Sequence, residues 1–138
     1  MKQFVLDASV ALAWYVDAPI PPQAVQAQRA LEQGFQAIVP ALWAVEMANG
    51  LCMAERHGKL TAAEVDQGLQ QLELLTGSVI DVQAEERSIR EAFVAARSSK
   101  LTAYDAVYLE LARQKGLPLA TLDKELRAAA VRAGVALL

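Results

Sequence analysis

Four acidic side chains in this chain have the type and setting for metal-assisted phosphoryl chemistry. Asp7 directly follows the apolar run Phe4-Val5-Leu6, and Asp123 follows Ala120-Thr121-Leu122. Asp105 falls in the first turn of a helical stretch that opens at Ala103. Glu46 sits within an apolar helical stretch that includes Leu42, Trp43, Val45, Met47 and Leu51. These acids are too distant in the chain to form a local motif, so only the fold can bring them together. If they meet, two carboxylates ~4 Å apart repel by ~4 kcal/mol at an effective dielectric of ~20. Converging acids must be protonated, splayed apart or neutralised, and one or two divalent cations neutralise them directly. Oxygen ligands alone select Mg2+ or Mn2+ rather than zinc. Such an ion polarises a phosphate oxygen, helps make hydroxide from bound water near neutral pH and stabilises a leaving oxygen.

Each acid also has a simpler reading. Thr102-x-x-Asp105 fits a helix capping box with aspartate in the usual place of glutamate. Asp123 is placed to cap the last helix, and Ser9 or Asp7 the first. Glu46 is harder to explain in this way. Its stretch is apolar nearly all round, which predicts a buried helix, and no Lys or Arg lies within a turn of it. A buried carboxylate needs a partner, so Glu46 must find a cation elsewhere in the fold. The lone histidine, His57, stands at a helix end and reads as a solvated or terminus-capping side chain rather than a ligand. Other catalytic sets are missing: there is no G-x-x-x-x-G-K-[ST] loop, G-x-G-x-x-G turn or G-x-S-x-G elbow.

The elements that must position these acids follow from hydrophobic patterning. Short apolar runs predict strands at Phe4–Leu6, Ala37–Val39, Ser78–Val82 and Leu117–Thr121, with a last short one at Gly134–Leu137. Helical patterns lie between them at 9–16, 22–33, 41–57, 61–75, 84–97, 103–115 and 123–132. Alternation of this kind predicts an α/β fold, a three-layer α/β/α sandwich with a short, mainly parallel central sheet. Ligands of such sheets bind beyond the carboxyl ends of the strands, which is where Asp7 and Asp123 should sit. Asp81 falls inside the third predicted strand and is expected to be structural. The 138 residues suit one domain spanning 1–138. With 54% hydrophobic and 21% charged residues the chain is not a disordered one. The formal charge of −3 excludes a globally basic surface. A single cysteine, Cys52, leaves no internal disulfide, and no apolar run is long enough to span a membrane. A cytoplasmic protein is expected.

Four segments in order resemble the PIN-domain family of metal-dependent ribonucleases, and within it the VapC-like toxins of toxin–antitoxin pairs. They are Val5-Leu6-Asp7-Ala8-Ser9, then Val45-Glu46-Met47-Ala48-Asn49-Gly50, then Thr102-Ala103-Tyr104-Asp105-Ala106-Val107-Tyr108-Leu109, and finally Ala120-Thr121-Leu122-Asp123. The resemblance implies that Asp7, Glu46, Asp105 and Asp123 hold Mg2+ or Mn2+. Ser9 and Thr121 stand where the family keeps small hydroxyl residues that orient ligands, with Asn49 in a supporting place. It implies hydrolysis of single-stranded or loop RNA by metal-activated water, leaving a 5′-phosphate and a 3′-hydroxyl. It also implies a homodimer and a cognate antitoxin, whose C-terminal segment lays apolar side chains and a basic residue across the active-site groove.

Arg87, Arg90, Arg97 and Lys100 form a basic run shortly before Asp105. They read either as RNA phosphate contacts or as a solvated helix face. Two rival functions are weaker fits. An aspartyl-phosphate phosphatase would use Asp7 as a nucleophile at the end of the first strand, but it needs a second aspartate two places on, where this chain has Ser9. A non-catalytic interaction module would use the same acids only to bind a basic peptide.

Overall fold

The computed structural model describes residues 2–84 and 86–138. In chain order the elements are β1 (Gln3–Leu6), α1 (Ala8–Val16), α2 (Pro22–Glu32), β2 (Gln36–Pro40), α3 (Leu42–Arg56) and α4 (Ala62–Thr76). They continue with β3 (Ile80–Gln83), α5 (Ile89–Ser99), α6 (Ala103–Lys115), β4 (Leu119–Ala120) and α7 (Lys124–Arg132). The strands form one parallel sheet in the order β3-β2-β1-β4, with helices on its faces. Phe4, Val5 and Leu6 of β1 are fully buried, as a central strand covered on both sides requires. Small side chains let the helices pack closely on the sheet: Ala24 and Ala27 from α2, Ala112 from α6, Ala129 and Ala130 from α7. Among the described residues no helix is long and apolar enough to cross a membrane.

This strand order creates the site. From β1 the chain moves to β2 and β3 on one side, then crosses to β4 on the other. The carboxyl end of β1 is therefore a switch point, where the connecting segments diverge and leave a crevice. Leu6 is in register with Ala120, and the Asp7 amide donates to the Ala120 carbonyl at 3.0 Å. The residues just beyond each strand thus meet at one edge.

Several predicted boundaries shift for identifiable reasons. The fifth strand is reduced to a single bridge between Leu119 and Leu137, because β4 offers only two residues to pair with. The helix predicted over 84–97 begins at Ile89, where Ser88 caps it by accepting the Glu91 amide at 3.1 Å. Arg87 consequently precedes the helix, and residue 85 of that prediction lies outside the described residues. α3 is not buried all round: Trp43, Met47, Leu51 and Ala54 face the core, while Val45 is 72% exposed and Cys52 is also exposed. Asp81 lies exposed on β3, an edge strand, and accepts from Gln83 Nε2 at 2.7 Å.

Candidate active site

Asp7, Glu46, Asp105 and Asp123 line one cleft of about 300 Å3, together with Ala8, Ser9, Leu12, Asn49 and Gly50. Four separate features deliver the acids. Asp7 ends β1, Glu46 lies one turn into α3, Asp105 is in the first turn of α6, and Asp123 immediately precedes α7. None of the residues lining the cleft carries positive charge.

Asp7 is the most constrained of the four. It is buried, and its Oδ2 accepts from Ser9 Oγ at 2.6 Å and from Thr121 Oγ1 at 2.8 Å. Each hydroxyl is itself held by the loop after β4: Ser9 Oγ accepts from the Leu122 amide and Thr121 Oγ1 from the Asp123 amide, both at 3.1 Å. Two hydroxyls therefore use their single proton on Asp7 and their lone pairs on backbone amides. That arrangement ties Asp7 to the segment carrying Asp123. Ser9 also occupies the position where an aspartyl phosphatase needs its second acid, and it serves Asp7 as a donor instead.

Asp123 both caps its helix and lines the cleft, whereas α6 is capped by the Thr102 hydroxyl and the Asp105 carboxylate only lines the cleft. Asp123 Oδ1 accepts from the Leu126 amide at 2.9 Å, and the Asp105 amide donates to Thr102 Oγ1 at 3.2 Å. The caps fix where α7 and α6 start, and so where their carboxylates stand. Glu46 finds a hydroxyl where a cation was expected. Tyr108, fully buried on α6, donates its phenolic proton to Glu46 Oε1 at 2.6 Å. Nothing in the sequence around Tyr108 pairs it with Glu46 directly. The available signal was spacing, since Tyr108 lies three residues after Asp105 and shares its helix face. We expect Tyr108→Phe to cost about 1 kcal/mol of stability, and to lower activity roughly tenfold by freeing Glu46 to leave the cleft. Thermal melts and cleavage rates measured on the same preparation check both.

The electrostatics is that of uncompensated acids. Burial pushes the Asp7 carboxyl up and Asp123 adds repulsion, while the Ser9 and Thr121 hydrogen bonds oppose both. Glu46 is likewise raised by burial, then by Asp7 and Asp105, against the Tyr108 hydrogen bond. Asp105 is raised by burial and by Asp7 and Asp123. The Tyr108 phenol is pushed far up by burial and by Glu46, which keeps it a donor. Among the described residues no three His, Cys, Asp or Glu side chains stand close enough together, as placed, to hold a metal ion. The acids stand around the cleft and repel across it. An all-oxygen donor set with unrelieved negative charge fits a hard divalent cation, and Asp7, Glu46, Asp105 and Asp123 are the residues that would hold it.

Asn49 is exposed on the cleft wall, on the same face of α3 as Glu46. Arg87, Arg90, Arg97 and Lys100 are not among the lining residues. Arg97 lies over the Phe93 ring at 4.3 Å from its centroid. Lys100 ends α5 in the left-handed conformation, at φ 58°. His57 caps the end of α3 and does not line the carboxylate cleft.

Comparison with known proteins places the chain in a family. A family model for the PIN domain matches residues 4–132. The sequence is 34% identical over 125 residues to Ribonuclease VapC3 of Pyrobaculum aerophilum, covering 90% of this chain and 92% of that one. The crystal structure of PAE2754, also from Pyrobaculum aerophilum, superposes with a TM-score of 0.68 over 96% of both chains at 23% identity, which speaks to the fold alone. With the family pattern running through nearly the whole chain and its acids gathered at one sheet edge, this protein is a VapC-like member of the PIN-domain family.

Proposed function

We propose that this protein is a divalent-metal-dependent endoribonuclease, the toxin of a toxin–antitoxin pair. The observation that carries the reading is the meeting of Asp7, Glu46, Asp105 and Asp123 in one cleft with no cation in its lining. The named ribonuclease among its relatives supports RNA as the substrate. When bound, Mg2+ or Mn2+ supplies Lewis-acid polarisation of the phosphate and a water acidic enough to attack near neutral pH. The chain's own residues set the geometry. Ser9 and Thr121 lock one oxygen of Asp7 and leave the carboxylate no freedom to rotate away. Tyr108 does the same for Glu46. The caps on α6 and α7 hold Asp105 and Asp123 at the rim. Preorganisation of this kind places charge before the substrate arrives and avoids reorganisation during the reaction. Cleavage of single-stranded RNA in Mg2+, leaving 5′-phosphate and 3′-hydroxyl ends and stopping in EDTA, is the expected result. Equal cleavage in EDTA would refute the metal.

Arg90, Arg97 and Lys100 lie on or at the end of α5, packed beside the helix that carries Asp105. With Arg87 just before α5, they would meet the phosphates of a strand leaving the cleft on that side. Arg97→Ala should then weaken RNA binding and flatten its log–log salt dependence by about 0.7. An unchanged slope would discard this contact. For protein partners, Val45, Leu69 and Leu74 leave apolar surface on α3 and α4 that suits an antitoxin segment. Ile89, Phe93 and Val94 on α5 suit a second copy of the chain.

A further inference from the structure

The cleft does not end at its acids. A second hollow of about 270 Å3 opens beside it between α1 and α3, and the two share Ser9, Leu12 and Gly50 in their walls. Leu12 seats against Gly50, where a Cβ would collide with its side chain, and the two hollows meet across this contact. Charge changes from one hollow to the next. The first hollow is lined by acids alone among its charged residues, whereas the second carries Lys59 and His57, with Asp17 as its acid. From Glu46 to His57, α3 and its cap run eleven residues, or about 16 Å at ~1.5 Å per residue. A stacked strand advances ~3.4 Å per phosphate, so this length takes about five stacked nucleotides and fewer extended ones.

We infer that the α1–α3 groove is a subsite for single-stranded RNA, in which Lys59 holds a backbone phosphate upstream or downstream of the scissile bond and His57 lies against a neighbouring base. The inference rests on the nuclease reading above. A polyanion approaching four carboxylates is repelled, and the Lys59 ammonium in the adjoining hollow offsets that repulsion where the strand must lie. The apolar wall supplied by Leu12 gives base faces a surface that does not discriminate among them.

The test uses the Asp7→Asn protein, so that RNA is bound but not cut, with a short end-labelled single-stranded RNA of mixed sequence in Mg2+. Fluorescence anisotropy is followed across a salt series. Lys59→Ala should weaken binding roughly fivefold and make the log–log salt slope shallower by about 0.7. Lys59→Glu should weaken it further. Lys115→Ala, at the far end of α6, should leave both affinity and slope unchanged. Equal slopes for the Lys59 and Lys115 variants would overturn the subsite and leave the groove to a protein segment. Cleavage of the same RNA by the unaltered protein would then show that the nuclease reading survives. Failure of the unaltered protein to bind or cut RNA would overturn both.

Discussion

Asp7→Asn should abolish RNA cleavage while raising the melting temperature. The buried Asp7 carboxylate is held by two hydroxyls, and asparagine keeps a carbonyl oxygen to accept from Ser9 and Thr121. The substitution removes a desolvated charge and its repulsion from Asp123, the two influences that push this carboxyl up. Relief of such strain in a site built for function stabilises by on the order of 1 kcal/mol, or about 3 °C for a chain of this size. The same change deletes the negative oxygen best placed to hold a cation. Loss of several kcal/mol of transition-state stabilisation corresponds to about three orders of magnitude in rate. Melting curves and single-turnover cleavage of one RNA measure both quantities. Asp81→Asn, on the edge strand, should change neither by a comparable amount. Retained cleavage in Asp7→Asn, or a melt several degrees lower, would contradict this assignment.

The second large effect concerns pH and metal together. In the metal-free protein Asp7, Glu46 and Asp105 all have carboxyls raised above their ordinary values of 3.8, 4.5 and 3.8. Between those values and the raised ones the folded state binds more protons than the unfolded state. Stability therefore falls as pH rises through that window and levels off above it. This is opposite to the behaviour of a salt-bridged carboxylate. Adding Mg2+ or Mn2+ at ~100 times its dissociation constant should restore about 2.7 kcal/mol at neutral pH, or about 8 °C. The gain should shrink as pH falls, because protons and the cation compete for the same oxygens. Calorimetric scans with EDTA and with each ion, from acid to neutral pH, read the effect directly. A metal-induced gain that is absent at neutral pH, or that grows in acid, would contradict it.

The part of the site nearest the sheet was legible in the sequence. Phe4-Val5-Leu6 ending in Asp7, and a second short apolar run ending near Asp123, place two carboxylates at strand ends, and parallel pairing puts those ends together. For Asp123 capping and cleft-lining are compatible, since one carboxylate oxygen takes the Leu126 amide and the other remains for the cleft, while at Asp105 the cap is the Thr102 hydroxyl rather than the carboxylate. The support of Glu46 was not legible. Its partner Tyr108 lies 62 residues away and meets it only because the fold brings the N-terminal turns of α3 and α6 together beyond the carboxyl end of β1. The Ser9 and Thr121 hydroxyls are 112 residues apart, and their joint hold on Asp7 depends on the register of Leu6 with Ala120. Patterning overestimated the fifth strand, because alternation predicts an extended segment without saying how much ladder awaits it. It also placed α5 too early, since the Glu-rich residues before Ser88 favour helix while the serine cap sets the start.

Soaking crystals in Mn2+ and collecting anomalous diffraction shows whether the four cleft acids hold a cation. We expect one or two manganese peaks in the cleft at the end of β1, each within coordination distance of Asp7 and at least one of Glu46, Asp105 and Asp123. A cleft free of anomalous density at saturating Mn2+, in protein that still cleaves RNA, would contradict their role as metal ligands.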